Sequence, residues 1–218
     1  NMIISIHQPA YLPWLGYIER IKKSDLFIFL DTVQFEKNSF TNRNLIKGAN
    51  GPYWLTIPVK KKGHLSQSLL DTEIVRDVDW RKSHLMSIKS SYSKSVAFHD
   101  KYAKISKLYN NDETLLADLC FNHLLFWLDE LQIKTKIVRS SSLSISSKKS
   151  DLILDICQEV GATTYLSGPM GKNYLEENDF TSNGIKLDYH YFEPTPYPQL
   201  FGSFIPFMGI VDYWFNVK

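Results

Sequence analysis

The chain has 218 residues, 44 % of them apolar and 22 % charged, with a formal net charge of +2. That is ordinary for a globular protein and enough for one large domain with a proper core. The near-neutral balance lacks the concentrated basic stripe of a DNA binder, and no stretch approaches the roughly 20 apolar residues that span a bilayer. Thirteen Phe, twelve Tyr and five Trp point to a large core, with ring-lined pockets as a second use of the surplus. The two cysteines, Cys120 and Cys157, lie far apart inside apolar helical patterns. They read as free buried thiols of a reducing compartment rather than a metal or redox pair. The first residues show no charged segment followed by an apolar run, so no secretory signal is expected and the expected location is cytoplasmic.

The elements follow in chain order. Residues 2–6 form a short apolar strand, followed by a loop holding Pro9 and Pro13. A helix is expected over 14–23, with Leu15, Ile18 and Ile21 near one face. Ser24-Asp25 punctuates it, and the unbroken apolar run Leu26-Phe27-Ile28-Phe29-Leu30 has the character of a strand buried on both faces. Strand, helix and strand within thirty residues make a βαβ unit with parallel strands. Residues 31–51 are a long polar segment, too long for an idle connection. Residues 53–59 read as a third strand. The basic cluster Lys60-Lys61-Lys62 beyond it reads as a solvated loop.

Asp79 caps a helix that begins at Trp80 and places Leu85, Ile88 and Tyr92 on one face. Further helices are expected over 98–109 and 113–131, a strand over 134–139 and a serine-rich loop over 140–150. A helix over 151–160 is stopped by Gly161. A strand over 163–166, an alternating edge strand over 185–192 and a short helix over 206–215 complete the chain. Alternation at both ends predicts a single α/β domain over 1–218. Its mostly parallel, Rossmann-like sheet carries helices on both faces, and the helical stretch of about 80–131 forms a cap or insertion.

In such a sheet ligands bind beyond the carboxyl ends of the strands. The residues there are chemically capable: His7 and Gln8, Asp31 and Gln34, Lys60 and Lys61, Ser140 to Ser142, then Ser167 and Gly168. They are expected to converge on one cleft. His7 is the strongest candidate for proton transfer, because imidazole titrates near neutrality. Asp31 ends an apolar strand, where a carboxylate needs a partner. It is expected to orient His7, hold an ammonium group or act as base. Asn42-Arg43-Asn44 and Lys47 offer fork-shaped and amide donors for a diphosphate. The turn Ser167-Gly168-Pro169-Met170-Gly171-Lys172-Asn173-Tyr174 carries two glycines, which let backbone N–H groups approach a phosphate. Neither the Walker nor the dinucleotide pattern is present, and HExxH and GxSxG are absent. The histidines at 84, 99, 123 and 190 show no metal-ligand spacing.

The stretch His7-Gln8-Pro9-Ala10-Tyr11-Leu12-Pro13-Trp14-Leu15-Gly16-Tyr17 resembles the opening signature of the WbqC-like proteins. The resemblance continues through Ser24-Asp25, Leu30-Asp31, Val33-Gln34-Phe35 and Asn42-Arg43-Asn44. It goes on through 54–59, Trp80-Arg81-Lys82 and Tyr165-Leu166-Ser167-Gly168, to Tyr197, Gln199, Phe207 and Asp212. Ala10 departs from it, standing where the family often has Asn. The resemblance implies a role in bacterial surface-polysaccharide synthesis, notably O-antigen, by transfer of an acyl or aminoacyl group such as glycyl to the amine of a nucleotide-linked amino sugar. A more distant likeness to the start of pantothenate synthetase implies the nucleotidyltransferase-like fold and an ATP-dependent amide ligase as the alternative. The adenylating His-x-Gly-His signature is missing, with Trp14 and Tyr17 in its place. A carrier-bound or tRNA-bound acyl donor is therefore expected ahead of ATP, and a non-catalytic glycan-precursor-binding protein is the remaining alternative. On this basis His7 is the expected base, Gln8 and the backbone near Gly168 the oxyanion donors, and Tyr11 or Tyr174 the ring packed on sugar or base.

Overall fold

The computed structural model describes residues 1–61 and 66–217; Lys62 of the basic cluster lies outside the described residues. Five strands form one sheet: β1 (Ile3–His7), β2 (Leu26–Phe29), β5 (Lys136–Arg139), β6 (Thr164–Ser167) and β7 (Lys186–Tyr189), in the order β5-β2-β1-β6-β7. Every pairing within it is parallel. The first three strands are laid down outward on one side of β1, and the chain then returns to build β6 and β7 on the other. That is the strand order of the doubly wound α/β class, and it puts a topological switch point between β1 and β6.

The sheet divides the interior into two apolar cores. β2 is buried throughout because it is central. Phe27 and Phe29 face a core shared with Tyr17, Ile21, Leu124 and Trp127. Leu26, Ile28 and Leu30 face the other, shared with Ile4, Ile6, Ile153 and Ile156. The period of two in β2 thus assigns α1 (Leu15–Lys22) and α4 (Leu116–Glu130) to one face and α5 (Lys149–Val160) to the other. Gly161 ends α5 in the left-handed region, as the sequence indicates. The helices α2 (Trp80–Tyr92), α3 (Phe98–Tyr109) and α4 share the first core with α7 (Ile210–Asn216). A short α6 (Glu177–Thr181) precedes β7. No helix among the described residues is long and apolar enough to cross a membrane.

One expectation fails. The segment read as a third strand, 53–59, does not join the sheet. β4 (Gly51–Thr56) pairs antiparallel with β3 (Arg43–Gly48), a strand inside the segment read as loop. Gly48 pairs with Gly51 across the turn Ala49-Asn50, and Gly51 takes a φ of +105° that glycine adopts without strain. Lys60 and Lys61 therefore follow a separate ribbon and not a sheet strand. Lys60 is exposed, its ammonium 3.7 Å from Glu73.

Candidate active site

The carboxyl ends of the five strands carry two groups of polar residues, not one cleft. Beyond β2 and β5, the Asp31 carboxylate is fully buried and fully engaged. It accepts from Arg139 Nε at 2.7 Å, Ser140 Oγ at 3.0 Å, and Ser141 through its N–H at 2.9 Å and its Oγ at 2.8 Å. Arg139 is shared with Asp118 at 2.8 Å. Asp31 and Ser140 together tie two strand ends; no hydrogen bond joins Asp31 to His7.

The second group lies at the switch point, where a cavity of about 370 Å³ opens between the ends of β1, β6 and β7. Its size fits the usual range for small-molecule sites. His7, Ser167, Gly168 and Tyr174 line it, joined by Arg20 and His190, which the sequence did not single out. Trp14, Phe192 and Phe207 supply aromatic wall. A larger cavity of about 590 Å³ lies between residues 74–81 and 111–114, and no strand-end residue lines it.

His7 is the last residue of β1, and its ring is held on three sides. Nδ1 lies 2.9 Å from the Gln8 carbonyl oxygen. The edges of Tyr17 and Trp14 pack at centroid distances of 4.8 and 5.6 Å. The Tyr17 hydroxyl donates to the same Gln8 carbonyl at 2.9 Å. A carbonyl oxygen only accepts, so Nδ1 carries the ring proton and Nε2 is left with a lone pair. Burial, then the nearby Arg20 charge, hold the imidazole down to about 4, with the bond to Gln8 opposing them. At neutral pH the ring is an uncharged acceptor.

Arg20 sits one turn beyond Gly16 on α1, and both line the cavity. The guanidinium lies across the turn after β6. A Cβ added at Gly168 would stand 2.8 Å from Nη2 and 2.9 Å from Nη1. Gly168 has an ordinary φ of −68°, so the glycine here serves to make room for Arg20. Among the described residues no carboxylate pairs with that guanidinium, and its buried Nε has no hydrogen-bond partner. Burial lowers its affinity for its proton, and tyrosines 165, 17 and 174 oppose that. His190, directly after β7, is 5 % exposed, and neither ring nitrogen has a hydrogen-bond partner. Glu19 stands 3.7 Å from Nε2, beyond hydrogen-bond reach. Burial, then Arg20, lower its pKa.

The other candidates lie elsewhere. Gln8 contributes its carbonyl, and its side chain is outside the cavity wall. Tyr11 is wholly buried in the first core, its hydroxyl 2.7 Å from His84 Nδ1 and bonded to the Tyr109 hydroxyl. Asn44 is equally buried and donates to the Tyr11 and Leu12 carbonyls at 3.3 and 2.7 Å, pinning the loop behind His7. Asn42 donates to the Ile57 carbonyl at 3.0 Å. Arg43 stacks 4.0 Å over the Trp54 ring and donates to the Asn38 carbonyl. The Lys47 ammonium donates to Gln199 at 3.2 Å and the Ser203 carbonyl at 2.7 Å. None of these reaches the cavity at β1. Gln34 borders a separate hollow with Lys148 and Lys149. Lys172 lies over the Tyr189 and Tyr191 rings at 5.0 and 5.3 Å, and Asn173 is exposed beside Met170. Cys120 and Cys157 are buried free thiols. Among the described residues no group of three His, Cys, Asp or Glu side chains could hold a metal ion.

Fold and site define a class: a parallel α/β protein with a neutral imidazole and an unpaired guanidinium in one crevice at its switch point. Within it the chain belongs to the WbqC-like protein family, which matches residues 8–218. It is 31 % identical over 216 residues to the uncharacterized protein Rv1507c of Mycobacterium tuberculosis (strain ATCC 25618 / H37Rv), covering 98 % of this chain and 93 % of that one. No solved structure matches.

Proposed function

We propose that the protein is a transferase of bacterial surface-polysaccharide (O-antigen) synthesis that moves an acyl or aminoacyl group, such as glycyl, onto the amine of a nucleotide-linked amino sugar. The observation that carries the proposal is the neutral His7 ring, proton on Nδ1 and lone pair on Nε2, in the switch-point cavity. Only an uncharged amine attacks an acyl carbon, so the nucleophile must lose a proton. In the proposed reaction the sugar amine adds to the acyl carbonyl while Nε2 takes that proton. The tetrahedral oxyanion then collapses, the carbon–donor bond breaks, and the imidazolium returns the proton to the leaving group. The fixed ring supplies orientation, which is a large share of such catalysis.

The donor arrives already activated, on a carrier or on tRNA. What supports this over ATP is the use made of the residues standing in place of an adenylating signature. Trp14 and Tyr17 are committed to packing His7 and to the Gln8 carbonyl, and neither offers the charge that stabilises a departing pyrophosphate. The buried free thiols fit a reducing cytoplasm. The test is transfer by purified protein of a radiolabelled aminoacyl group to a UDP-linked amino sugar, with His7→Ala beside the wild type. Loss of transfer with the fold intact is expected, and a wild-type rate in the variant ends the assignment.

A further inference from the structure

We infer that Arg20 and His190 form an anion-binding subsite beside His7 that takes a phosphoryl group, resting on the proposal above that the substrate is nucleotide-linked. Among the described residues the partly buried guanidinium has no carboxylate partner and its buried Nε no hydrogen bond, a state that is costly unless a ligand completes it. His190 is 5 % exposed and, among the described residues, neither nitrogen makes a hydrogen bond, Glu19 standing 3.7 Å from Nε2, although buried polar groups are as a rule bonded. The two come from different elements, α1 and the end of β7, and face one cavity. Tyr174, on the turn after β6, lines the same cavity and makes no hydrogen bond through its hydroxyl among the described residues. Three donors from three directions suit a tetrahedral oxyanion with several oxygens better than a flat carboxylate, which one fork satisfies.

Two further features agree. Gly168 leaves the turn bare where the guanidinium lies, so the position of Arg20 is built into the backbone. Trp14, Phe192 and Phe207 flank the cavity and offer ring faces to the flat body that a nucleotide carries. The basic residues that the sequence nominated for a diphosphate stand outside this cavity: Lys47 donates to Gln199 and Ser203, and Arg43 stacks on Trp54 and donates to Asn38.

The experiment is calorimetric titration of the full chain with inorganic pyrophosphate, UDP, uridine and acetate. Pyrophosphate and UDP are expected to bind at least about tenfold more tightly than uridine and acetate. Arg20→Met should weaken both phosphorylated probes by about ten- to a hundredfold, Arg20→Lys by less, and leave uridine unchanged. Gly168→Ala, which puts a methyl where the guanidinium lies, should weaken them likewise and serves if Arg20→Met does not fold. Acetate binding as tightly as pyrophosphate, no binding of either phosphorylated probe at millimolar concentration, or unchanged dissociation constants in both variants would each overturn the subsite. No acyl donor is needed, so the transferase proposal fails separately. A phosphate site with no transfer sinks only the reaction, and transfer with an unchanged KM in Arg20→Met sinks only the subsite.

Discussion

Acid should unfold this protein through its buried histidines. His84 is 5 % and His123 2 % exposed. The His84 Nε2 proton goes to the Thr56 carbonyl at 3.0 Å, and Nδ1 accepts from the Tyr11 hydroxyl. A second proton on Nδ1 would force the Tyr11 hydroxyl to turn from donor to acceptor and to reorder its bond to Tyr109. Burial holds His84 down to about 4 and, with Arg81 and His84 adding to it, His123 to about 3; His7 is held to about 4. Each folded-state value lies below the ordinary 6.5, so between the two the unfolded chain binds more protons. The stabilisation is complete above pH 6.5 and is lost as pH falls toward 4. At about 1.4 kcal/mol per unit, each ring costs on the order of 2–3 kcal/mol by pH 4.5. Three together approach the whole stability of a typical domain, about 5–15 kcal/mol. Urea unfolding followed by circular dichroism at pH 7.5, 6.5, 5.5 and 4.5 reads this directly. The midpoint should fall steeply below pH 6.5, and His123→Gln should lose about 2 kcal/mol less over that range. A midpoint flat from pH 7.5 to 4.5, or equal losses in variant and wild type, would refute the reasoning.

Three substitutions separate the structural roles. Gly168→Ala should melt close to the wild type, because the atoms its methyl meets are the far end of a flexible side chain and its φ of −68° suits alanine; a large stability loss would mean the turn needs glycine for itself. Gly171→Ala, whose methyl would fall 2.0 Å from Ser167 Oγ and 2.9 Å from Leu175, should cost about 1–3 kcal/mol in a denaturant titration. Asp31→Asn removes the charge from a fully buried acceptor of four hydrogen bonds and leaves an amide facing donors. It should cost about 3 kcal/mol or more, and a variant as stable as the wild type would dismiss the clamp between β2 and β5.

The sheet was legible because its strands are short apolar runs with abrupt polar ends: 26–30 is unbroken, and Thr163 to Leu166 sits between Gly161 and Gly168. The hairpin was not, since β3 has two apolar residues, Leu45 and Ile46, side by side among polar ones with no period of two, although Gly51 marked the end of its turn. Polarity in a sequence shows that a side chain wants a partner and not where the partner is. Asn44 and Lys47 find theirs inside the protein, whereas the buried Nε of Arg20 finds none among the described residues. A signal for Arg20 existed. Glycine inside a helix costs about 1 kcal/mol against alanine, and Gly16 four residues earlier puts both on one helix face. That face is turned to the cavity, away from the core side chains Tyr17, Ile18 and Ile21. His190 obeys the strand-end rule as well, but the expected strand ran past it to Phe192, while β7 stops at Tyr189.

The anion subsite and the proposed base are electrically coupled, and that coupling has a use. Arg20 is the second cause, after burial, of the lowered His7 pKa. An anion that neutralises the guanidinium removes that contribution and adds an attraction for the imidazolium, so His7 binds a proton more readily once the phosphoryl group is seated. With its pKa held to about 4 the ring is a weak base, which on the proposed reaction would leave it little capacity to activate water against an acyl donor. On the proposed reaction, a seated sugar nucleotide would move it toward the range where general bases work well. Proton NMR of the His7 ring, titrated with and without saturating pyrophosphate, should show its pKa shifting upward on binding. Arg20→Met should shift it upward in the free protein and reduce the further response to pyrophosphate. A His7 titration that is the same in all of these states would show that the two groups do not communicate.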